Sequence, residues 1–354
     1  SYVIDYRDDM ACDVLTRLVR ADIKVRVAMK PFEIATEAGT SKFPAGSLSV
    51  VMANQKQRLP AIKRILTRYA GDVELTPVKS GLSVSGPDIG SPNFSLIKAP
   101  KLAMVTGPSI TSYGAGEIWH LLDHNLRMPV TLLKDTRLSR ADLDEYTTLI
   151  LPDGSVTDQN WVAVEAFAKS GGTVVAVGRQ AVSVQKRLRK STEGASNEGG
   201  SVAAAKSDEA TADKATATDA GSMQQPFNSA SNKQALQLIS GAIFRTQADL
   251  THPLLFGSTK KAMAVFRNHN TFLTPSKNVY RNPMIYDAQD PLMAGYCSDE
   301  NVEKFKTSAS VVVEQHGGGQ FILMADNPNF RGFWHGTSRL FLNAVLLGDK
   351  MRVR

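Results

Sequence analysis

The sequence predicts an α/β protein: a flavodoxin-like, doubly wound, mostly parallel sheet preceded by a smaller α/β unit. Three observations predict it. From residue 102 onward short apolar runs alternate with stretches of helical period, and strands alternating with helices favour a parallel sheet. Turn formers crowd into Ser85-Gly-Pro-Asp-Ile-Gly-Ser-Pro-Asn93, which separates that region from a shorter strand and helix series before it. The chain has 354 residues, 42% hydrophobic and 21% charged, which suits a globular protein of two or three domains.

Residues 1–97 form the small unit in this reading. A strand over Tyr2–Tyr6 leads to a helix over Asp8–Ala21, where apolar residues of Met10-Ala-Cys-Asp-Val-Leu-Thr-Arg-Leu-Val19 recur at helical spacing. Strands follow over Lys24–Met29, Phe43–Ala53 and Val73–Val78, with a helix over Leu59–Tyr69 between the last two. Residues 98–354 form the larger unit. Its strands are expected over Leu102–Thr106, Val130–Lys134, Thr147–Leu151 and Thr173–Gly178, with helices over Gly114–Leu126, Asp158–Ser170 and Gln180–Leu188.

From about residue 190 to residue 229 the chain is Ser, Thr, Ala, Gly, Asp, Glu and Lys with almost no large apolar side chain, and such a segment is expected to be a disordered insertion. Beyond it come a helix over Lys233–Ile239 and strands over Ala262–Phe266, Ser308–Gln315 and Gln320–Ala325. The last two read as a hairpin around His316-Gly-Gly-Gly319, and a helix over Thr337–Leu347 closes the chain.

Composition excludes some classes. No apolar run approaches the roughly 20 residues of a membrane span. The formal charge is +7, but basic and acidic residues are interspersed, and the cluster Lys186-Arg-Leu-Arg-Lys190 reads as a solvated helix end rather than a nucleic-acid patch. The two cysteines, Cys12 and Cys297, lack the spacing of a zinc knuckle or redox pair. The first residue is Ser and a strand begins at Tyr2, so the chain is expected to start inside a longer protein, and the lack of a leader says nothing about compartment.

Chemistry is expected at the strand ends. Lys101-Leu-Ala-Met-Val-Thr-Gly-Pro-Ser109 followed by Ser112-Tyr-Gly-Ala-Gly-Glu-Ile-Trp-His120 places a turn and a helix start at a strand's carboxyl end, where such sheets bind ligands. Gly172-Thr-Val-Val-Ala-Val-Gly-Arg-Gln-Ala181 has the strand, turn and helix form of a nucleophile elbow. Its presenting positions are read as Arg179 and Gln180, and neither is an acyl-transfer nucleophile. His120 and His124 share a helical face at metal-ligand spacing, yet Trp119, Leu121 and Leu122 suit an ordinary amphipathic helix.

The larger unit resembles the class I glutamine amidotransferase-like fold, in which an elbow Cys works with a His and a Glu after a later strand. Here the later strand is followed by Asp326-Asn-Pro-Asn-Phe-Arg331, so neither partner matches. Phe43-Pro-Ala-Gly-Ser-Leu-Ser-Val-Val51, Gly116-Glu-Ile-Trp-His120, Leu149-Ile-Leu-Pro-Asp-Gly154, His252-Pro-Leu254 and Asn329-Phe-Arg-Gly-Phe-Trp-His335 with Asn343, in that order, resemble the region after the catalytic domain in large bacterial carboxypeptidase A-type zinc metallopeptidases. That family binds zinc through His-x-x-Glu and a distant His, and none of the six histidines here has Glu three residues later. The resemblance therefore implies that zinc belongs to a peptidase domain upstream in the same polypeptide and that no cofactor sits on this chain. It also implies a periplasmic or secreted location.

The candidate ligand crevice comprises Gly107, Glu117, His120, Gly178, Arg179, Asn329, Arg331 and Trp334. Arg331 offers a planar donor fork suited to a carboxylate and Trp334 a rigid wall, unless the arginine pairs internally and the indole packs beneath the last helix. Glu117 either faces the crevice as an acid or favours the positive end of its helix. The expected function is a non-catalytic accessory region of a zinc carboxypeptidase-like protein, supporting the peptidase domain or recognising a peptide or cell-wall ligand. The alternatives are a free-standing small-ligand or sensory module, and a hydrolase built on Glu117, His120 and Arg331.

Overall fold

The computed structural model describes residues 1–197 and 230–352. The chain opens with β1 (Tyr2–Ile4), α1 (Ala11–Arg20), β2 (Val25–Ala28), β3 (Phe32–Thr36), β4 (Gly39–Phe43), β5 (Leu48–Val50), α2 (Leu59–Tyr69), β6 (Leu75–Pro77), β7 (Ser83–Ser85) and β8 (Phe94–Ile97). These strands build an antiparallel sheet in the order β6-β1-β5-β2-β8 and a small one in the order β4-β3-β7. The apolar stripe of α1, including Val14, Leu15 and Leu18, is buried, and α1 packs against α2.

Two expectations for this unit need correction. Phe43–Ala53 is not one strand: Phe43 ends β4, Pro44 and Gly46 make a turn with φ of 93° at the glycine, and only Leu48–Val50 rejoins a sheet. The turn-rich passage over Ser85–Asn93 runs into β8, which pairs with β2 in the register Val25 opposite Ile97. The partner strand is distant in sequence, so a local pattern does not reveal the pairing.

The second half runs β9 (Leu102–Thr106), α3 (Ser112–Trp119), β10 (Val130–Lys134), β11 (Thr148–Leu151), α4 (Asp158–Lys169), β12 (Thr173–Val177), α5 (Arg179–Asn197), α6 (Ala230–Leu236), β13 (Ala242–Ala248), β14 (Ala262–Arg267), β15 (Met284–Tyr286), β16 (Leu292–Gly295), α7 (Asp299–Lys306), β17 (Ala309–His316), β18 (Gly319–Met324) and α8 (Ser338–Leu346). One sheet takes the order β10-β9-β11-β12-β18-β17-β15-β13-β14, with β16 also on β13. Pairing is parallel from β10 to β18 and antiparallel thereafter. The protein is thus a mixed α/β structure with a parallel-rich sheet, and the expectation of a mostly parallel one holds on one side only. The hairpin between β17 and β18 turns within His316–Gly319, and a connection that short can join only antiparallel strands.

The strands β11 and β12 are buried on both faces, as their unbroken apolar runs require. Ala103, Val105, Leu149 and Val174 face Val164 and Phe167 of α4 and Ala181 of α5, whereas Leu102, Met104 and Ile150 face Ile118 of α3 and Phe341 of α8. That second core continues into Leu15, Leu18 and Val25 of the first unit.

Helix boundaries also differ from expectation. The regular helix α3 ends at Trp119, and His120–Asn125 form a wider turn in which the Leu126 N–H donates to Leu121 O at 3.2 Å. The helix expected over 180–188 runs to Asn197, so the first residues of the anticipated insertion are helical; the remainder, 198–229, lies outside the described residues. Both cysteines are buried and free.

A polar clasp joins the two units. The Tyr6 hydroxyl donates to Asn343 Oδ1 at 2.9 Å, and Asn343 Nδ2 donates to the carbonyls of Leu254 and Phe256, each at 2.9 Å. Arg339 Nη1 donates to Tyr6 O at 2.5 Å and its Nη2 to Asp8 O at 2.8 Å. We predict that Asn343→Leu, which leaves a buried hydroxyl and two carbonyls without this partner, destabilises the chain by about 3 kcal/mol, and Tyr6→Phe by about 1 kcal/mol. Urea unfolding midpoints check this; a wild-type midpoint for Asn343→Leu would show that the clasp contributes nothing.

Candidate functional site

Strand order reverses around β9, whose neighbours are β10 on one side and β11 on the other. Ligands of open α/β sheets bind outside the carboxyl strand ends at such a reversal. Here the segments after β9, β11, β12, β14 and β18 surround a cleft of about 190 Å³. Thr111, Tyr113 and Glu117 come from α3 and its approach, Asp153 from the end of β11, Gly178 and Arg179 from the elbow, and Asn327, Phe330 and Arg331 from the loop after β18.

The apex of the elbow is Gly178, not Arg179 or Gln180 as the sequence suggests. Gly178 has φ of 67°, and a Cβ there would lie 2.8 Å from Asp153 Oδ1. The slot that presents a nucleophile in acyl-transfer enzymes therefore holds no side chain, and a side chain there would press on the Asp153 carboxylate. Arg179 begins α5 and Gln180 is fully buried. The N–H after the apex is the usual oxyanion donor, and in this chain Arg179 N–H donates to Asp153 Oδ1 at 2.9 Å. The guanidinium closes the grip, with Arg179 Nε 3.1 Å from Oδ1 and Nη2 2.6 Å from Oδ2, and this hydrogen bonding raises the arginine pKa.

Glu117 is a loop clamp. Its Oε1 accepts the Arg331 N–H at 2.8 Å and its Oε2 accepts Asn327 Nδ2 at 2.6 Å. Arg331 has φ of 50°, a left-handed conformation that costs a non-glycine residue about 1 kcal/mol or more and persists only where neighbours hold it. Its guanidinium is exposed, lies 5.2 Å from the Phe330 ring centre, and makes no ion pair among the described residues.

His269, which also lines the cleft, is held neutral. Its Nε2 meets Ala325 O at 2.9 Å and its Nδ1 meets the Thr271 hydroxyl at 2.9 Å, so both ring nitrogens are occupied. Burial, reinforced by Arg267, lowers its pKa to about 3.

Of the anticipated crevice residues, Glu117, Gly178, Arg179 and Arg331 share this cleft. His120 opens with Glu117, Arg331 and Gly332 onto an adjoining shallow groove of about 590 Å³. Gly107 instead packs on Asp135, whose carboxylate accepts the N–H of Ser109 at 2.8 Å and its hydroxyl. Asn329 is buried, its N–H donating to Asn327 Oδ1 at 3.0 Å. Trp334 and His335 lie beside a different cavity, because the loop turns sharply at Arg331 and Gly332. The rings of His120 and His124 stack 4.9 Å apart and 19° from parallel, and no group of three His, Cys, Asp or Glu is placed to hold a metal among the described residues.

Asn268, His269, Asn327 and the pairing of Asp153 with Arg179 are absent from the sequence-based set. The signal for the first two was Arg267-Asn-His-Asn270, a run of four polar residues where an apolar strand ends.

No protein-family model and no curated protein sequence matches the chain. Among solved structures, a ThuA-like protein from Bacteroides uniformis aligns over 70% of this chain and 91% of its own at 13% identity and a TM-score of 0.37. Another, from Parabacteroides merdae, aligns over 70% and 89% at 12% identity and 0.38. The β-galactosidase of Bacillus circulans sp. alkalophilus aligns over 71% of this chain and 31% of its own at 14% identity and 0.32. Likenesses this weak carry neither the activity nor the detailed fold of those proteins to this chain.

Two buried histidines predict an acid limit to stability. Burial lowers His252 to about 4 and His269 to about 3. Above a pH of about 6.5 neither state binds a proton there, whereas below it the unfolded chain does and the folded chain does not. We predict that stability falls as pH drops from about 6.5 towards 4, by up to about 1.4 kcal/mol per pH unit for each histidine. In urea unfolding between pH 7 and 4.5, His269→Gln should flatten that slope; an unchanged slope would refute the assignment.

Proposed function

We propose that this chain is a non-catalytic binding module in which an amidotransferase-like crevice persists as a ligand cleft without acyl-transfer machinery. The observation that carries the reading is the elbow, where a glycine occupies the apex and Asp153 occupies the oxyanion donor. The order β10-β9-β11-β12-β18 of the parallel strands, 2-1-3-4-5 in chain order, supports a flavodoxin-like, doubly wound body. The exposed Arg331 guanidinium over Phe330, with the amides of Asn268 and Asn327 nearby, favours a small ligand bearing a carboxylate, such as a peptide end.

In a longer polypeptide of the zinc carboxypeptidase-like kind that the motif order resembles, such a module would be an accessory region. It would support the upstream peptidase domain or recognise a peptide or cell-wall ligand outside the cytoplasm. Zinc would then be held by that domain.

Two outcomes follow. The isolated chain should turn over neither glutamine nor blocked dipeptides, with or without zinc; turnover abolished by a substitution in this chain would overturn the reading. In titrations with N-acetylglycine and acetyl-dialanine, Arg331→Ala should weaken binding by about 10- to 100-fold with the urea midpoint unchanged. Equal affinity for wild type and variant would remove Arg331 from the site.

A further inference from the structure

The loop that presents Arg331 has a second side, and there the molecule has a larger cavity of about 870 Å³. The strand β14 forms one wall and Phe333–Gly336 the other, with Arg7, Asp9 and Cys12 of the first unit at one end. β14 is the last strand of the large sheet, so among the described residues only one of its edges is paired.

Ladder alternation decides which backbone groups face this cavity. Ala248 N–H donates to Lys261 O at 2.8 Å, so the pairs at every second residue from there, Thr246 with Met263 and Phe244 with Val265, are the hydrogen-bonded ones. The N–H and C=O groups of Ala262, Ala264 and Phe266 therefore point away from β13. Arg245, opposite Ala264, obeys the same alternation: its N–H donates to Pro291 O at 2.7 Å and its carbonyl accepts from Asp287 N–H at 3.0 Å, both on the far side of β13. Among the described residues nothing takes up the outward backbone groups of Ala262 and Ala264.

The edge is open at one end only. Phe266 is covered, its ring stacked 3.8 Å from Phe330. Over Ala262 and Ala264 the side chains are methyl groups, which leave the backbone accessible. Across the cavity the indole N–H of Trp334 is buried and has no partner among the described residues. The charges around the rim are unequal. Arg7 is paired with Asp5, and Arg339 donates to the Tyr6 and Asp8 carbonyls, but Lys260 makes no ion pair among the described residues.

We infer that this cavity is a peptide groove: an extended segment carrying an acidic side chain adds as a strand to the free edge of β14. Main-chain pairing with Ala262 and Ala264 supplies affinity, and Lys260 selects the acid. The site is separate from the Arg331 cleft and does not depend on it.

The probe is acetyl-Ala-Val-Glu-Val-Ala-amide, titrated by calorimetry beside two N-methylated versions, one methylated at its odd and one at its even residues. A paired strand uses the N–H groups of one frame only, so one version should lose about tenfold or more in affinity and the other should bind like the parent. Ala264→Pro removes an outward N–H without removing a ladder bond, and should abolish binding while keeping the urea midpoint near wild type. Lys260→Glu should reverse the preference between the Glu peptide and its Lys counterpart. Arg331→Ala should leave peptide affinity unchanged. No binding at millimolar peptide, equal losses from both methylation frames, or loss of binding in Arg331→Ala would each overturn the assignment, and the methylated peptides decide the matter even if Ala264→Pro does not fold.

Discussion

Arg267 is a full positive charge with no exposed side-chain surface, and the loops around the cleft depend on how that charge is balanced. Its Nε donates to Asp326 Oδ1 at 2.9 Å, its Nη2 to the Tyr286 hydroxyl at 2.5 Å, and its Nη1 to Thr271 O. Asp326 in turn accepts from Tyr286 at 2.6 Å and from the Ser310 hydroxyl at 2.5 Å. Phe305 and Tyr286 present ring faces 5.0 and 5.3 Å from the guanidinium carbon. Burial opposes the charge, but Tyr286 and Asp326 more than offset it, so the arginine pKa is raised. Taking two ions out of water costs several kcal/mol each, which only a geometry with every donor and acceptor matched can repay.

That network ties β14, β15 and β17 to the residue that starts the loop after β18. With Asp326 held, Asn327 and Arg331 reach Glu117, and the strained backbone of Arg331 is kept in place from outside its own loop. His269, two residues beyond Arg267, is placed at the cleft by the same strand end. One loop thus serves two concavities. Asn327, Phe330 and Arg331 face the cleft at the parallel strand ends, and Phe333–Gly336 face the edge of β14.

The cleft is shaped by how the turn after β12 packs on Asp153. The turn between β12 and α5 takes its conformation from the strand-to-helix connection, with Gly178 supplying the positive φ it needs. With glycine at the apex, the carboxylate of Asp153 lies against it, accepts the first N–H of α5 and pairs with Arg179. An anion at a helix N-terminus is favourable in its own right, so the pairing stabilises the fold while occupying the oxyanion donor.

The sequence by itself determined the elements whose cause is local. The apolar period of Leu59–Tyr69 places α2 to the residue, the apolar runs of β9, β11 and β12 mark buried strands, and Gly172–Ala181 reads as a strand, turn and helix with no Ser or Cys at the turn. The tertiary structure alone decided what depends on partners far along the chain. The pairing of β8 with β2, the antiparallel pairings of β13 with β14, β15 and β16, the bond between Asp153 and Arg179 and the ion pair of Arg267 with Asp326 each join residues that no periodicity connects. For the same reason Asn329, Arg331 and Trp334, neighbours in sequence, separate in space: a left-handed turn at Arg331 and Gly332 sends them to the interior, the cleft and the groove. Side-chain period is set within a few residues, whereas the direction in which a loop presents each side chain is set by what anchors its two ends.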